Sequence, residues 1–393
     1  MKWIWQQPNW PDFVWKTEAL LPFLSKARLE QGKLLGRTKE LGFELSQEAG
    51  ADILIEEVVK TSEIEGAYLN RDLVRSSVAK HLGLPSFGMP QASRSIDGLV
   101  DILIDATKKY DQPLTAERLR SWQAALFPTG YSGLLRIQVG EWRSGEDPMQ
   151  VVSGAIGKEN LHFEAVPSSC VENEMDQFLT WWKISLDKID GLLRAGLAHF
   201  YFVTVHPFED GNGRIARALT DMALAQDEKI STRFYSLSSQ IMKEKKEYYD
   251  ILERCQRGDM NITAWLVWFL ASYTRSLEGS SNLIAKVLAK ASFWKYFSQT
   301  ALSDRQRKVL NVLLNAGKDE FEGGLTTRKY SSIAKVSRAT AFREITNLVE
   351  KKVILQNPSK GRSTSYDLNW DVLVEGEDVS SKADPYTQIK FDA

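Results

Sequence analysis

The twelve residues His206-Pro207-Phe208-Glu209-Asp210-Gly211-Asn212-Gly213-Arg214-Ile215-Ala216-Arg217 constrain this chain most, because of what flanks them. Residues 198–205 complete an apolar helix, and Ile215, Leu219 and Met222 recur at the spacing of a second buried helix face. A polar, glycine-containing turn is therefore held between two core helices. That pattern predicts a mainly α protein whose central helix pair presents one turn to a ligand.

The residue types in the turn suit phosphate chemistry. Gly211 and Gly213 carry no side chains, so main-chain N–H groups at the start of the second helix can approach an anion, which the helix dipole also favours. Arg214 and Arg217, three apart, supply two guanidinium forks for a polyphosphate. Asp210 is the carboxylate placed to hold a Mg²⁺ that bridges phosphate oxygens. His206 has the pKa range to take a proton from an attacking hydroxyl. Taken singly, each residue reads as ordinary turn or core chemistry. Together they supply a base, a metal ligand, an anion cradle and two cationic clamps, the parts of phosphoryl-type transfer.

Composition narrows the setting. A chain of 393 residues has room for two or three domains. Its 50 basic and 51 acidic side chains leave a net charge of −1, so any contact with nucleic acid or membrane must be local. Two cysteines, Cys170 and Cys255, exclude a cysteine-built metal site and read as free thiols of a reducing compartment. The N-terminus lacks the apolar run of a signal peptide, and the most apolar stretch, 262–273, is too short to span a bilayer. A cytoplasmic protein without membrane contact is expected.

Helical periodicity runs over residues 17–59, behind an opening crowded with Trp3, Trp5, Trp10 and Trp15 that reads as an extended arm packed on a helical body. A second helical region starts near Ser93 and includes a helix capped by Thr115. Residues 149–153 and 161–166 read as a β-hairpin, and helices resume at 171–186 and 192–204. Gly279-Ser280-Ser281-Asn282 reads as a hinge. The expected organisation is an N-terminal extension at 1–92, a catalytic core at 93–278, a connecting helix at 279–300, a C-terminal unit at 301–370 and a disordered tail at 371–393.

The run at 206–217 resembles the signature of the Fic (filamentation induced by cyclic AMP) family at every position: His, Pro, Phe, an acidic residue, Gly-Asn-Gly-Arg, two spacers, Arg. Similar pattern extends over about residues 93–273. The resemblance implies a helical core covered by a β-hairpin flap. It implies transfer of AMP from ATP, with Mg²⁺, to a Ser, Thr or Tyr hydroxyl of a target protein or of the chain itself. His206 would be the base, Asp210 the Mg²⁺ ligand, Gly211, Asn212, Gly213 and Arg214 the phosphate surroundings, and Arg217 the contact to the γ-phosphate. Relatives that phosphorylate their target carry Lys in place of Gly213, which favours nucleotidyl transfer here. The hairpin resembles the flap that holds a target by strand addition, with Val151, Val152, Ser153 and Gly154 near ATP; a plain structural hairpin is the alternative. Tyr248, Tyr249 and Gln256 stand where relatives line the adenine pocket, and either tyrosine reads equally as core packing.

Thr61-Ser62-Glu63-Ile64-Glu65-Gly66 resembles the inhibitory motif of the family. Glu65 would pair with Arg217 and keep the γ-phosphate out, or position water for removing AMP. The N-terminal region as a whole is similar to the helical extension of bacterial members. His199, two helical turns before His206, reads as a satisfied core histidine, and His81 and His162 carry no signal.

Three short helices and a small hairpin over residues 302–368 resemble a winged helix-turn-helix, with Arg338, Thr340 and Arg343 on a recognition helix and Lys360 and Arg362 on the wing. DNA binding and protein docking both fit that unit. Three functions follow: a protein adenylyltransferase with AMP removal as a reverse mode, a transferase using another donor such as UTP, and a nucleotide-sensing DNA-binding regulator. The intact His206 argues against the last. The target and the oligomeric state, a homodimer included, stay open.

Overall fold

The computed structural model describes residues 3–39, 43–85, 88–153, 160–317, 321–358 and 364–373. The chain divides into two units, Met1–Ser281 and Asn282–Ala393. Gly154, Lys360, Arg362 and residues 374–393 of the expected tail lie outside the described residues.

The first unit opens with a short 3-10 turn at Ile4–Gln6. Helices α1 (Thr17–Thr38), α2 (Phe43–Ile64), α3 (Arg71–Leu82), α4 (Arg94–Lys108) and α5 (Ala116–Leu126) follow. Strands β1 (Tyr131–Ser132) and β2 (Leu135–Arg136) form one small hairpin, and β3 (Gln150–Ser153) and β4 (Asn160–Glu164) a second. Then come α6 (Ser168–Ser185), α7 (Gly191–Val205), α8 (Asn212–Glu228), α9 (Leu237–Lys243) and α10 (Lys245–Gln256), and α11 (Thr263–Tyr296) runs on past Ser281 into the second unit.

The centre is α7 against α8. Every residue of α7 from Leu192 to Val205 is buried, and its polar members Arg194, His199 and Thr204 are hydrogen-bonded inside. Asp190 caps that helix by accepting from the N–H groups of Leu192 and Leu193. Ile215, Leu219 and Met222 are the buried face of α8, as their spacing requires. Thr115 caps α5 through the Arg118 N–H at 3.1 Å. The tryptophan arm packs on this body: Trp5 donates its indole N–H to the Glu164 carbonyl at 2.7 Å, and Trp10 donates to Glu174 at 2.8 Å.

Residues 279–282, expected as a hinge, lie within α11. A single glycine costs a helix interior about 1 kcal/mol, too little to break a helix whose other positions favour it. Among the described residues, no helix is long and apolar enough to cross a membrane.

The second unit holds α12 (Asp304–Ala316), α13 (Thr327–Ala334) and α14 (Arg338–Glu350), then β5 (Ile354–Gln356) paired antiparallel with β6 (Tyr366–Leu368). Val309, Leu313, Ala341, Ile345, Leu348 and Leu368 belong to its core. Ser303 and Ser337 cap α12 and α14. Arg338 and Arg343 are exposed, and the Thr340 hydroxyl lies 3.0 Å from that of Ser337.

Candidate active site

The junction of α7 and α8 is built by its own residues. His206 ends α7 in the left-handed region at φ 53°, ψ 59°, which turns the chain sharply out of the helix. Its Nδ1–H donates to the Val203 carbonyl at 3.2 Å, an assignment that leaves Nε2 unprotonated. Burial pushes the imidazole pKa down to about 4; the Val203 carbonyl, Glu65 and Asp210 work the other way, and Arg143 adds to the lowering. The ring is therefore neutral near pH 7, with Nε2 in its acceptor form.

Phe208 is fully buried, with its ring 4.8 Å from that of Trp142. The Asn212 side chain closes the turn by accepting from Phe208 N–H at 3.0 Å and donating to the Phe208 carbonyl at 2.7 Å. Its amide is thus engaged within the loop, leaving the main chain at the start of α8 as the part of Asn212 suited to a phosphate. Gly211 caps α8 at φ 93°, and a Cβ there would come within 2.9 Å of Leu126. The positive φ favours glycine, and the tip of Leu126 would have to shift for any larger residue.

Asp210 accepts from the Ser132 hydroxyl of β1 and lies 3.5 Å from Arg214. Its side chain is 40% exposed, so the carboxylate is accessible from solvent. Arg214 lies over the Phe127 ring at 5.0 Å, and its Nε is buried without a hydrogen-bond partner among the described residues. Burial lowers the pKa of Arg214. Arg217 is 2% exposed; it donates from Nε to the Thr61 hydroxyl at 2.6 Å, and from Nη2 to the Thr61 carbonyl at 3.0 Å and to Glu65 at 2.6 Å. Burial opposes its charge, yet Glu65 beside it leaves the pKa above the ordinary value. The Nη1 of Arg217 has no aligned acceptor among the described residues.

Glu65 follows the end of α2 and reaches over the start of α8. A Cβ added to Gly213 would lie 2.2 Å from Glu65 Oε1. A carboxylate thus occupies the cradle that the glycine opens beside two incompletely paired guanidinium groups. A phosphate fits the same donors, being planar-fork and helix-start chemistry. A Mg²⁺ held by one carboxylate plus phosphate oxygens and water fits Asp210, since this ion commonly takes only one or two protein carboxylates. Among the described residues there is no group of three or more His, Cys, Asp or Glu side chains placed to hold a metal ion.

A pocket of about 570 Å³ brings His206, Gly213 and Glu65 together with Val151 and Val152 of β3, and with Tyr248, Tyr249 and Gln256 of α10. Tyr248 is 2% exposed, and its hydroxyl lies 2.8 Å from His199 Nε2, whereas Tyr249 is 39% exposed. Tyr248 is thus core with one edge at the pocket, and Tyr249 is the ring more open to solvent. His199 also meets the Thr220 hydroxyl at 2.9 Å, and burial pushes its pKa down to about 3, a satisfied core histidine. Gln256 donates to Thr204 at 3.2 Å. The hairpin pairs Gln150 with Glu164, Val151 with Phe163, Val152 with Leu161 and Ser153 with Asn160, with a register shift between Val151 and Val152.

Several lining residues carry no sequence signal. His162 on β4 lies 2.6 Å from Glu253 on α10, and both face the pocket. Ser132 and Arg143 act on the loop from remote positions. A polar residue on a two-residue strand or in irregular chain shows its partner only after folding.

Residues 113–224 match the Fic/DOC family, and residues 3–84 match a domain of unknown function, DUF4172. The fold is shared with a Fic family protein from Desulfovibrio desulfuricans G20, at 17% identity over 90% of this chain and 97% of that one, TM-score 0.53. A Fic domain containing signaling protein from Bacteroides thetaiotaomicron VPI-5482 aligns at 19% identity over 68% of this chain and 97% of that one, TM-score 0.49. Fic-1 (residues 134–508) from C. elegans aligns at 18% identity over 70% and 75%, TM-score 0.49.

Proposed function

Because the chain carries a Fic/DOC family domain in a mainly helical fold, we propose that it transfers AMP from ATP to a hydroxyl of a protein target and of itself. The observation that carries this reading is the neutral His206, with Nδ1 tied to Val203, in one pocket with the glycine cradle of α8. In this reading, the target hydroxyl gives its proton to His206 Nε2. Its oxygen attacks the α-phosphorus, the bond from that phosphorus to the bridging oxygen breaks, and pyrophosphate leaves with the bonding pair. The start of α8, Arg214 and Arg217 bind the β- and γ-phosphates and oppose their charge. Asp210 would hold Mg²⁺, which when bound neutralises phosphate charge. Tyr249 and Gln256 would line the adenine side, and the β3 edge would receive the target as an added strand.

Glu65 supports autoinhibition, since its carboxylate pairs with Arg217 and stands over Gly213. Incubation with α-labelled ATP and Mg²⁺ tests the reading: the Glu65→Gly protein is expected to label itself. Label from γ-labelled ATP instead would overturn AMP transfer, and preferential competition by UTP would change the donor.

A second activity has its own observation. Arg338 and Arg343 are exposed on α14 of the second unit. We propose weak duplex binding there that falls with salt and weakens on Arg338→Ala plus Arg343→Ala, with a salt slope smaller by about 2. A gel shift at low salt with no binding to any duplex would leave protein docking in its place.

A further inference from the structure

The main chain of His206 is held by a side chain that the proposed chemistry does not use. Arg143 is 4% exposed. Its Nε donates to the His206 carbonyl at 2.7 Å, and its Nη2 to the carbonyls of Val166 and, at 3.4 Å, Val205. Its own main-chain N–H donates to the Pro207 carbonyl at 2.8 Å. These acceptors belong to the end of α7, the start of the catalytic loop and the segment just after β4. None of them is a carboxylate, and burial lowers the guanidinium pKa to about 10. Among the described residues no carboxylate pairs with it, and a buried cation in that position is unfavourable, so its carbonyl array is the feature that needs explaining.

We infer that Arg143 is a positioning residue for the transfer: it fixes the left-handed turn that carries His206 and ties that turn to the base of the β3–β4 hairpin. The inference rests on the proposed role of His206 as the base. A non-glycine residue at φ 53° persists only where its surroundings over-determine it. Arg143 supplies that restraint on residues 205–207, while Trp142 beside it packs on Phe208. The same fork reaches Val166, so the base and the strand that would present the target hydroxyl share one anchor. Lysine cannot reproduce this, because it lacks the rigid planar fork.

The charge of Arg143 has a second effect. The charged groups acting on the imidazole are Arg143 on one side, and Glu65 after α2 and Asp210 in the loop on the other. Arg143 favours the neutral ring and the two carboxylates favour the protonated one.

The test uses the full chain carrying Glu65→Gly, with Arg143→Met and Arg143→Lys added singly. Self-labelling gives kcat and KM for ATP. NMR of the histidine ring protons without nucleotide gives the titration of His206. Arg143→Met is expected to lower kcat roughly 10²-fold, the scale of a displaced catalytic group, with KM for ATP near that of the parent. It should also move the His206 titration to higher pH. Arg143→Lys should leave the titration near the parent and restore kcat only in part. Parent-like kcat in Arg143→Met overturns the inference, and so does a loss of rate with an unmoved titration, which marks a merely structural role. If Arg143→Met does not fold, parent-like kcat in Arg143→Lys overturns it. If the parent transfers no AMP at all, the proposed function fails, and the titration arm still decides whether Arg143 acts on His206.

Discussion

Two buried arginines flank the loop between α7 and α8, and their partners differ in kind. On the α8 side, Arg217 is bonded to Thr61 and to the Glu65 carboxylate, whose side chain is 33% exposed. On the opposite side, Arg143 is bonded to main-chain carbonyls of Val166, Val205 and His206. A carboxylate on a rotatable side chain can yield its place to a phosphate, whereas carbonyls of the backbone cannot leave without unfolding the turn. On the proposed reading, one flank exchanges partners and the other braces.

The largest expected effect removes what both flanks serve. His206→Ala leaves both arginines paired and should lower AMP transfer about 10²–10⁴-fold while calorimetry still detects ATP binding. Parent-like labelling would take the loop out of the chemistry and end the comparison.

Glu65→Gly tests the exchangeable flank. Freeing Arg217 of a charge-assisted bond worth about 1.5–3 kcal/mol should raise labelling roughly 10–100-fold at fixed ATP. Adding Arg217→Ala should erase the gain, because both act at one place. If Glu65→Gly labels no faster than the parent, Glu65 is not a competitor of phosphate, and loss of AMP removal from a pre-modified target would mark it as the positioner of water.

The pH profile comes next. With His206 held down to about 4, its base form persists through pH 5.5. A histidine with its usual pKa would have lost about tenfold there. The expected kcat/KM, which reports the free enzyme, is flat from pH 7 to 5.5 and falls only towards pH 4. A limb near pH 6.5 would mean that the bracing flank and burial do not set the base.

The smallest effect is one of stability. Asp221 lies one turn beyond Arg217 on α8, and burial, followed by repulsion from Glu57, raises its carboxyl to about 8, with Arg233 opposing. A carboxyl whose folded pKa is raised contributes stability that is full below about pH 4 and is lost as pH rises through 8. Asp221→Asn should therefore gain Tm over the wild type between pH 6 and 9, by roughly 2–4 °C. A constant difference across that range would show that Asp221 is already ionised.

The helical core, the turn between α7 and α8, and the β3–β4 hairpin were legible because each rests on local pattern: apolar spacing, two glycines, and alternation bounded by turns. Glu65 was legible from a short motif as a partner for Arg217, and the two stand 2.6 Å apart. Arg143 was not, because a guanidinium bonded to carbonyls leaves no complementary acidic residue to notice in the sequence. Tyr248 and Tyr249 could not be told apart, since adjacent residues on a helix look identical until the packing of His199 selects one of them. The side chain of Asn212 turned inward for the same reason: its partner is the backbone of Phe208, which any sequence would supply.

Glu57 stands eight positions before Glu65, and its carboxylate accepts from the hydroxyls of Ser236 and Ser238 and from the Ser238 N–H. The helix that leads to Glu65 is thus moored about 12 Å upstream by a buried polar knot. Its tip has only a short leash, so on the proposed reading the block is lifted by swinging one side chain rather than by shedding a whole segment. Such a block behaves as a ligand at a fixed local concentration. The extent of repression would then follow the nucleotide supply, and no partner protein would be needed to prise the helix away.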